Sequence, residues 1–349
     1  MSELSLSASG EENVSPAPLL SIIVPVYNGG EAWLACLKAI AQFKDPSWEW
    51  IVVDDGSTDR SAIVAANAGA TIFSTEGRRG PGVARNLGAQ FATGEYLCFL
   101  DADCEIHPQT LAQLVGVLEQ HPETDAVFGS YDDAPKAPNF VAQYKNLLHH
   151  YTHQTGCEVA STFWAGCGAV KRSTFLALRG FDEVRYPRPS IEDIELGYRL
   201  RQAGGSIYLA KQVQVKHHKA WSFKGLLQTD VCDRAIPWTR LLLSYPSGLV
   251  DDLNLQLSSR LSAISVYLLL LFLLASFYRF EAIAGALLVA ALLLYLNRSV
   301  YRFFLQKRGA IFAIKAVGMH WLYYLYSGFA LFIGTSLYWG ERLKQKIAQ

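Results

Sequence analysis

The stretch from Glu95 to Glu105, Glu-Tyr-Leu-Cys-Phe-Leu-Asp-Ala-Asp-Cys-Glu, constrains this chain more than any other. Five strand-forming residues run straight into Asp101 and Asp103, so a buried strand delivers two carboxylates to one edge of a sheet. In open α/β folds that edge, beyond the carboxyl ends of the parallel strands, is where ligands bind. Alternate residues of an extended segment point the same way. Asp101 and Asp103 can therefore converge on one divalent cation, and a cation held there neutralises a diphosphate. Taken alone, Asp-x-Asp describes a solvated turn at the end of a strand equally well. The rest of the chain decides between the two.

Upstream, strand and helix signals alternate. Ser21 to Tyr27 is an apolar, β-branched run broken by Asn28-Gly29-Gly30 before a helical stretch from Glu31 to Phe43. Trp48 to Val53 repeats the pattern, followed by Asp54-Asp55-Gly56-Ser57-Thr58-Asp59 and a helix to Ala68; a short strand at 70–74, a loop and a helix at 83–91 lead into the strand at Tyr96. Such alternation predicts an α/β fold with a mostly parallel, doubly wound sheet. The first turn lacks the Gly-x-Gly-x-x-Gly that a dinucleotide-binding domain requires, which argues against a nicotinamide enzyme. Asp55 ends the second strand on the same edge as Asp101 and Asp103, where a carboxylate accepts from nucleobase donors. The loop Gly77-Arg78-Arg79-Gly80-Pro81-Gly82-Val83-Ala84-Arg85-Asn86 supplies cations and a restrained backbone just before a helix N-terminus, a setting for phosphate oxygens, with a surface loop of solvated arginines as the alternative. The pair Glu192-Asp193 opens a further helix running to about Ala203, where the dipole helps keep Asp193 ionised. His149 and His153 stand four apart on a helix, for which a solvated polar face is the expected setting.

Six stretches, Ser21–Asn28, Val52–Asp59, Gly80–Gly88, Gly94–Asp103, Gly180–Glu183 and Glu192–Leu200, resemble in order the motifs of family 2 inverting glycosyltransferases of the GT-A fold. The resemblance covers residues 20–222 and implies a nucleotide-sugar donor, Mg2+ or Mn2+, and direct displacement at the anomeric carbon. It further implies Asp103 as metal ligand and Asp101 as a contact to metal or ribose. Pro25, Tyr27, Glu31 and Asp55 would hold the nucleoside and Arg79 the diphosphate, with Asp193 as general base and Glu192 orienting it. His217, in Val213-Gln214-Val215-Lys216-His217-His218, matches a histidine that completes the metal shell in several GT-A enzymes, and fits that place better than His218. Phe163 to Ala169 suits a sugar or acceptor platform, or packing.

Lys plus Arg and Asp plus Glu both number 31, so no net field points to nucleic acid. The six cysteines show no metal-ligand spacing and read as reduced thiols of a cytosolic domain. Residues 1–19 read as a flexible, Ser-rich acidic tail. Phe223 to Leu243 mixes Leu, Ile and Trp with Lys224, Arg234 and Arg240, the pattern of an amphipathic interfacial helix, and the interfacial segment is bounded at 223–260.

The apolar excess sits in 261–339, with three candidate spans at 261–278, 282–297 and 316–339 and a polar tail at 340–349. Arg298, Arg302, Lys307 and Arg308 mark the loop after the second span as cytoplasmic, which puts the catalytic domain there too. Three spans leave Arg342, Lys344 and Lys346 on the far side, against that rule; either the last segment is re-entrant or the short basic tail yields to the stronger signals, and the latter is the expectation. The layout is similar to polyprenyl-phosphate and lipid glycosyltransferases, so the expectation is transfer to a lipid or lipid-linked acceptor. The alternatives are elongation of an exopolysaccharide and a catalytically inactive nucleotide-sugar-binding scaffold.

Overall fold

The computed structural model describes residues 19–245 and 256–348. It opens with β1 (Leu20–Val26), α1 (Gly30–Phe43), β2 (Glu49–Asp54), α2 (Ser61–Asn67), β3 (Thr71–Ser74), α3 (Pro81–Phe91) and β4 (Tyr96–Leu100). Strands β3, β2, β1 and β4 pair in parallel in that spatial order, as the alternation predicts. All of β4 is buried, and so is all of β1 except Pro25, because helices cover both faces of a parallel sheet.

After β4 the sheet changes character. The chain continues through β5 (Cys104–Ile106), α4 (Thr110–Gln120), β6 (Ala126–Tyr131), α5 (Phe140–Thr155), β7 (Cys167–Lys171), α6 (Arg172–Ala177), α7 (Glu192–Gln202) and β8 (Ile207–His217). The sheet among the described residues has the order β3-β2-β1-β4-β7-β6-β8-β5. It is mixed: β7 lies antiparallel between β4 and β6, and β5 is antiparallel to β8. Two registers position the site. Leu100 faces Cys167, which lays the loop before β7 beside Asp101, and Cys104 faces His217, which brings the end of β8 beside Asp103.

The segment expected to be amphipathic is helical from Phe223 to Ser244, as α8 (Phe223–Gln228), a π-helical stretch (Thr229–Ala235) and α9 (Ile236–Ser244). Pro237 has no N–H to give the carbonyl of Asp233 four residues earlier, so the ladder slips there. The hydroxyl of Ser190 donates to that carbonyl instead, at 2.6 Å, and ties the rod to the loop before α7. The remainder of the interfacial segment includes 246–255, which lies outside the described residues, as does the expected tail before residue 19.

Three apolar helices follow: α10 (Leu257–Ala275), α11 (Ala282–Leu296) and α12 (Arg298–Ala348), the last kinked at Gly309 with φ 80. α10 and the stretch 298–347 are long and apolar enough to cross a membrane, whereas α11 is shorter. α10 and α11 form the expected hairpin, with apolar side chains such as Leu271, Leu274 and Leu288 facing outward. At its base Asn297 Nδ2 donates to Ser262 Oγ at 2.9 Å and the Tyr324 hydroxyl donates to Asn297 Oδ1 at 2.7 Å.

The basic residues 298–308 are helical rather than a loop. They pack on α5, with the Phe304 ring 5.8 Å from Tyr144 and Arg308 Nε donating to Gln143 Oε1 at 2.8 Å. The stretch 316–339 is likewise not an isolated span. Met319 packs against the cluster of Ala137, Ala142, Trp221 and Leu226, the Tyr326 hydroxyl donates to Asp230 Oδ2 at 2.7 Å, Gly334 abuts Thr239, and Glu341 pairs with Arg240 at 2.6 Å. Both ends of this stretch therefore touch the segment 221–240.

Candidate active site

Asp101 and Asp103 leave the end of β4 as the strand pattern requires, both half-buried. With Cys104 they form a group of donors within 4.8 Å of one another. His217 Nε2 lies 3.6 Å from Asp103 Oδ2. The other ring nitrogen of His217 meets Asn146 Oδ1 at 3.1 Å, and its ring stacks on Tyr131 at 4.1 Å, so the imidazole is fixed in orientation. His218 turns instead to Glu105, at 2.6 Å. Two carboxylates and an imidazole are a donor set for a hard divalent cation such as Mg2+ or Mn2+. Cys104 is the odd member of the group, since hard cations of this kind take oxygen donors in preference to sulfur; burial and the adjacent carboxylates push its thiol well above the ordinary range. Burial alone would raise Asp103, but His217 and then Lys219 hold it down to about 2. Asp101 moves the other way, raised by burial and by Asp103 against the opposing pull of Arg85.

Arg85, expected among the loop cations that face phosphate or solvent, is instead turned inward onto two carboxylates. It sits on α3 inside the motif Gly80–Gly88, 5% exposed, and spans two elements. One terminal nitrogen meets Asp101 Oδ1 at 2.6 Å and the other Glu192 Oε1 at 3.0 Å. The guanidinium therefore bolts the end of β4 to the start of α7. Nothing in local periodicity marks it, since a buried arginine on a short helix shows itself only through its partners.

Asp193 stands in the first turn of α7, half-buried. Its Oδ2 accepts from the Ala165 N–H at 3.1 Å, and the next residue's carbonyl, Gly166 O, accepts from the Asp101 N–H at 3.1 Å. The loop before β7 thus touches both acids. A Cβ on Gly166 would meet the Trp164 ring at 2.3 Å, so any larger residue here would push that ring aside. Burial, and then the neighbouring Glu192, raise Asp193 to about 6 against the opposing charge of Arg85. Trp164 packs against Tyr131, His149 and His153. The two histidines are accordingly not a solvated face. His153 Nδ1 meets Gly129 O at 3.0 Å, and burial lowers both imidazoles.

The residues expected around the nucleoside gather at the ends of β1 and β2. Pro25 pairs with Val53 across the strands. Tyr27 is 39% exposed with the Arg78 guanidinium 4.4 Å above its ring, and Glu31 is exposed in the first turn of α1. Asp55 is buried and already engaged: it accepts from Arg79 N and Gly80 N, each at 2.8 Å, and from Thr75 Oγ1 at 2.9 Å. It shapes the loop 75–80, and the Arg79 side chain is left exposed above it.

Comparison with known proteins bears on this arrangement. Residues 21–178 match the family model described as glycosyl transferase family 2. Over those residues, a little under half of its length, the chain is similar to the family 2 glycosyltransferases. Glycosyltransferase GlyG of Streptococcus pneumoniae is 31% identical over 144 residues, 40% of this chain and 46% of that protein. A PGL/p-HBAD biosynthesis glycosyltransferase of Mycobacterium bovis is 35% identical over 130 residues, 36% of this chain and 50% of that protein. The matched part thus spans at most about half the length of these relatives. In three dimensions the mannosyltransferase PcManGT of Pyrobaculum calidifontis, solved with GDP-Man and Mn2+, superposes with a TM-score of 0.50 at 17% identity. That match covers 92% of this chain and 87% of the other, and it establishes the shared GT-A fold. The matched residues take in nearly all of β1 and all of β2 through β7, and with them Asp55, Arg85, Asp101 and Asp103. The pair Glu192-Asp193 and His217 lie beyond the matched residues.

Proposed function

We propose that this protein is a membrane-anchored, metal-dependent inverting glycosyltransferase that passes a sugar from a nucleotide-diphosphate sugar to a lipid or lipid-linked acceptor at the cytoplasmic face. The observation that carries the reading is the chain of contacts His217–Asp103, Asp101–Arg85–Glu192 and Asp193–Ala165, which gathers acids from β4 and α7 around one edge of the sheet. Asp103, Asp101 and His217 would hold Mg2+ or Mn2+. When bound, the ion supplies Lewis-acid stabilisation of charge on the departing diphosphate. Pro25, Tyr27 and Glu31 face the nucleoside. Asp55 acts through the loop it braces, which presents Arg79 toward phosphate oxygens. Asp193 takes the proton of the acceptor hydroxyl as its oxygen bonds the anomeric carbon, and the bond to the nucleoside diphosphate breaks with its electron pair. Glu192, held by Arg85 and by the Ser190 N–H at 2.9 Å, fixes the start of α7 so that its neighbour keeps its aim.

The α10–α11 hairpin enters the bilayer, since its outer surface is apolar all round. α12 is one-sided and braced along the segment 221–240 at both ends of its apolar stretch, so it lies along the membrane boundary. In that arrangement Arg342, Lys344 and Lys346 stay on the same side as the catalytic domain, and the conflict raised by three spans disappears. A reporter fused after residue 349 is expected to read as cytoplasmic; a far-side signal would restore the third span.

The enzymatic reading is tested by thermal shift of the full chain against a panel of nucleotide sugars with and without Mn2+, followed by transfer to lipid acceptors. A shift with one donor that depends on Mn2+, and transfer that requires a lipid, are expected. No shift with any donor, or equal transfer to soluble acceptors, would contradict it.

A further inference from the structure

Two adjoining clefts of about 260 and 270 Å3 open beside the loop that leads into α7, sharing Arg185 and Arg240 as lining residues. Arg188 and Ser190 line the inner cleft, and Arg342 and Tyr338 from the end of α12 line the outer one. Four guanidinium groups thus border one continuous depression. Arg188 is paired with Asp233 at 2.9 Å and Arg240 with Glu341 at 2.6 Å. Arg185 and Arg342 have no carboxylate partner among the described residues and rest against the rings of Tyr186 and Tyr338. The depression therefore holds excess positive charge on side chains that can fork around phosphate oxygens.

Its two ends differ. At the inner end stands Ser190, three residues before Asp193 along the chain, which donates its backbone N–H to Glu192 Oε2 at 2.9 Å. At the outer end the last turns of α12 carry Leu337, Trp339 and Leu343 with 45%, 56% and 61% exposure, an apolar margin beyond the charge. A ligand that matches has a reacting group, then phosphate, then hydrocarbon. Asp193 as a base has work to do only if the nucleophile is a hydroxyl, because a phosphate oxygen attacks without losing a proton to a carboxylate.

We infer that the arginine cleft binds the phosphate or diphosphate of a lipid-linked saccharide, holding its sugar hydroxyl toward Asp193 and its hydrocarbon chain along the end of α12. This rests on the glycosyltransferase reading above and narrows its acceptor from any lipid to a phosphate-linked glycolipid. It also gives α12 a reason to return to the catalytic domain, since without Arg342 and Tyr338 the outer cleft has no far wall.

The test uses the full chain in neutral detergent, with a short prenyl diphosphate, the matching prenyl alcohol and inorganic diphosphate as probes. The wild type is expected to bind the prenyl diphosphate at least about tenfold more tightly than either the alcohol or inorganic diphosphate, because both head and tail contribute. Arg185→Gln with Arg342→Gln, both surface side chains, is expected to weaken that binding about tenfold or more. The Mn2+-dependent shift with the nucleotide sugar stays unchanged in the double variant, and lysine at both positions restores part of the affinity. Unchanged affinity in the double variant, or equal binding of diphosphate and alcohol, would overturn the site. Equally tight inorganic diphosphate would overturn its assignment to a lipid. A wild-type chain that binds the prenyl diphosphate but no nucleotide sugar would overturn the enzymatic reading, and the acceptor role with it, while leaving the anion site standing.

Discussion

The two carboxylates at either side of the site, Asp103 at the end of β4 and Asp193 at the start of α7, are half-buried alike yet held in opposite states. His217 and Lys219 keep Asp103 near 2, whereas burial and Glu192 lift Asp193 to about 6. Environments that push two acids apart in this way separate a permanently charged group from one that exchanges protons near neutrality. The first suits a cation, the second an acceptor proton. Arg85 stands between them, touching the partner of each, and so keeps the two environments distinct as well as joined.

Replacing the two acids should break that comparison most sharply. Asp103→Ala is expected to lower transfer by roughly 10³-fold and to abolish the Mn2+ dependence of donor binding, since a group that offsets diphosphate charge is lost. Asp193→Asn keeps the shape and removes the proposed base. It is expected to cost about 10²-fold or more in kcat with donor affinity intact, measured by single-turnover transfer against donor titration.

Removing the bolt tests whether the two sides are coupled. Arg85→Gln leaves a buried Glu192 and a half-buried Asp101 without their cation, which is expected to cost about 3 kcal/mol of stability in denaturant titration. The loss should be smaller in an Arg85→Gln, Glu192→Gln double variant, because one stranded charge is gone. Asn146→Ala acts more gently. It frees the His217 ring and is expected to raise the Mn2+ concentration needed for half-maximal turnover about tenfold, with little change in kcat at saturating metal. The pH profile separates the acids again. A base must be ionised to act, so transfer is expected to fall about tenfold per pH unit below about pH 6, the value of Asp193, and Asp193→Asn should lose that limb.

Much of this site was legible from local pattern. Asp101, Asp103 and Asp55 follow buried apolar runs, and Glu192-Asp193 opens a helix, so strand and helix signals alone place them at element ends. What local pattern does not carry is direction and distance. The short run Cys167–Lys171 has no mark of running antiparallel, yet its reversal is what puts Ala165 and Gly166 against Asp193 and Asp101. Arg85 and Asn146 matter through partners 107 and 71 residues away. His149 and His153 looked solvated because helical spacing says nothing of the Trp164 ring that covers them. Apolar length suggests a third span at 316–339, and it says nothing of the contacts that this helix also makes with Asp230 and Arg240.

The most direct measurement compares Asp103→Ala and Asp193→Asn side by side for Mn2+-dependent donor binding and for sugar transfer. Donor binding lost in the first, retained in the second, and transfer lost in both is the expected result. Wild-type turnover in either variant, or Mn2+-dependent donor binding that survives Asp103→Ala, would contradict the division of labour between the two acids.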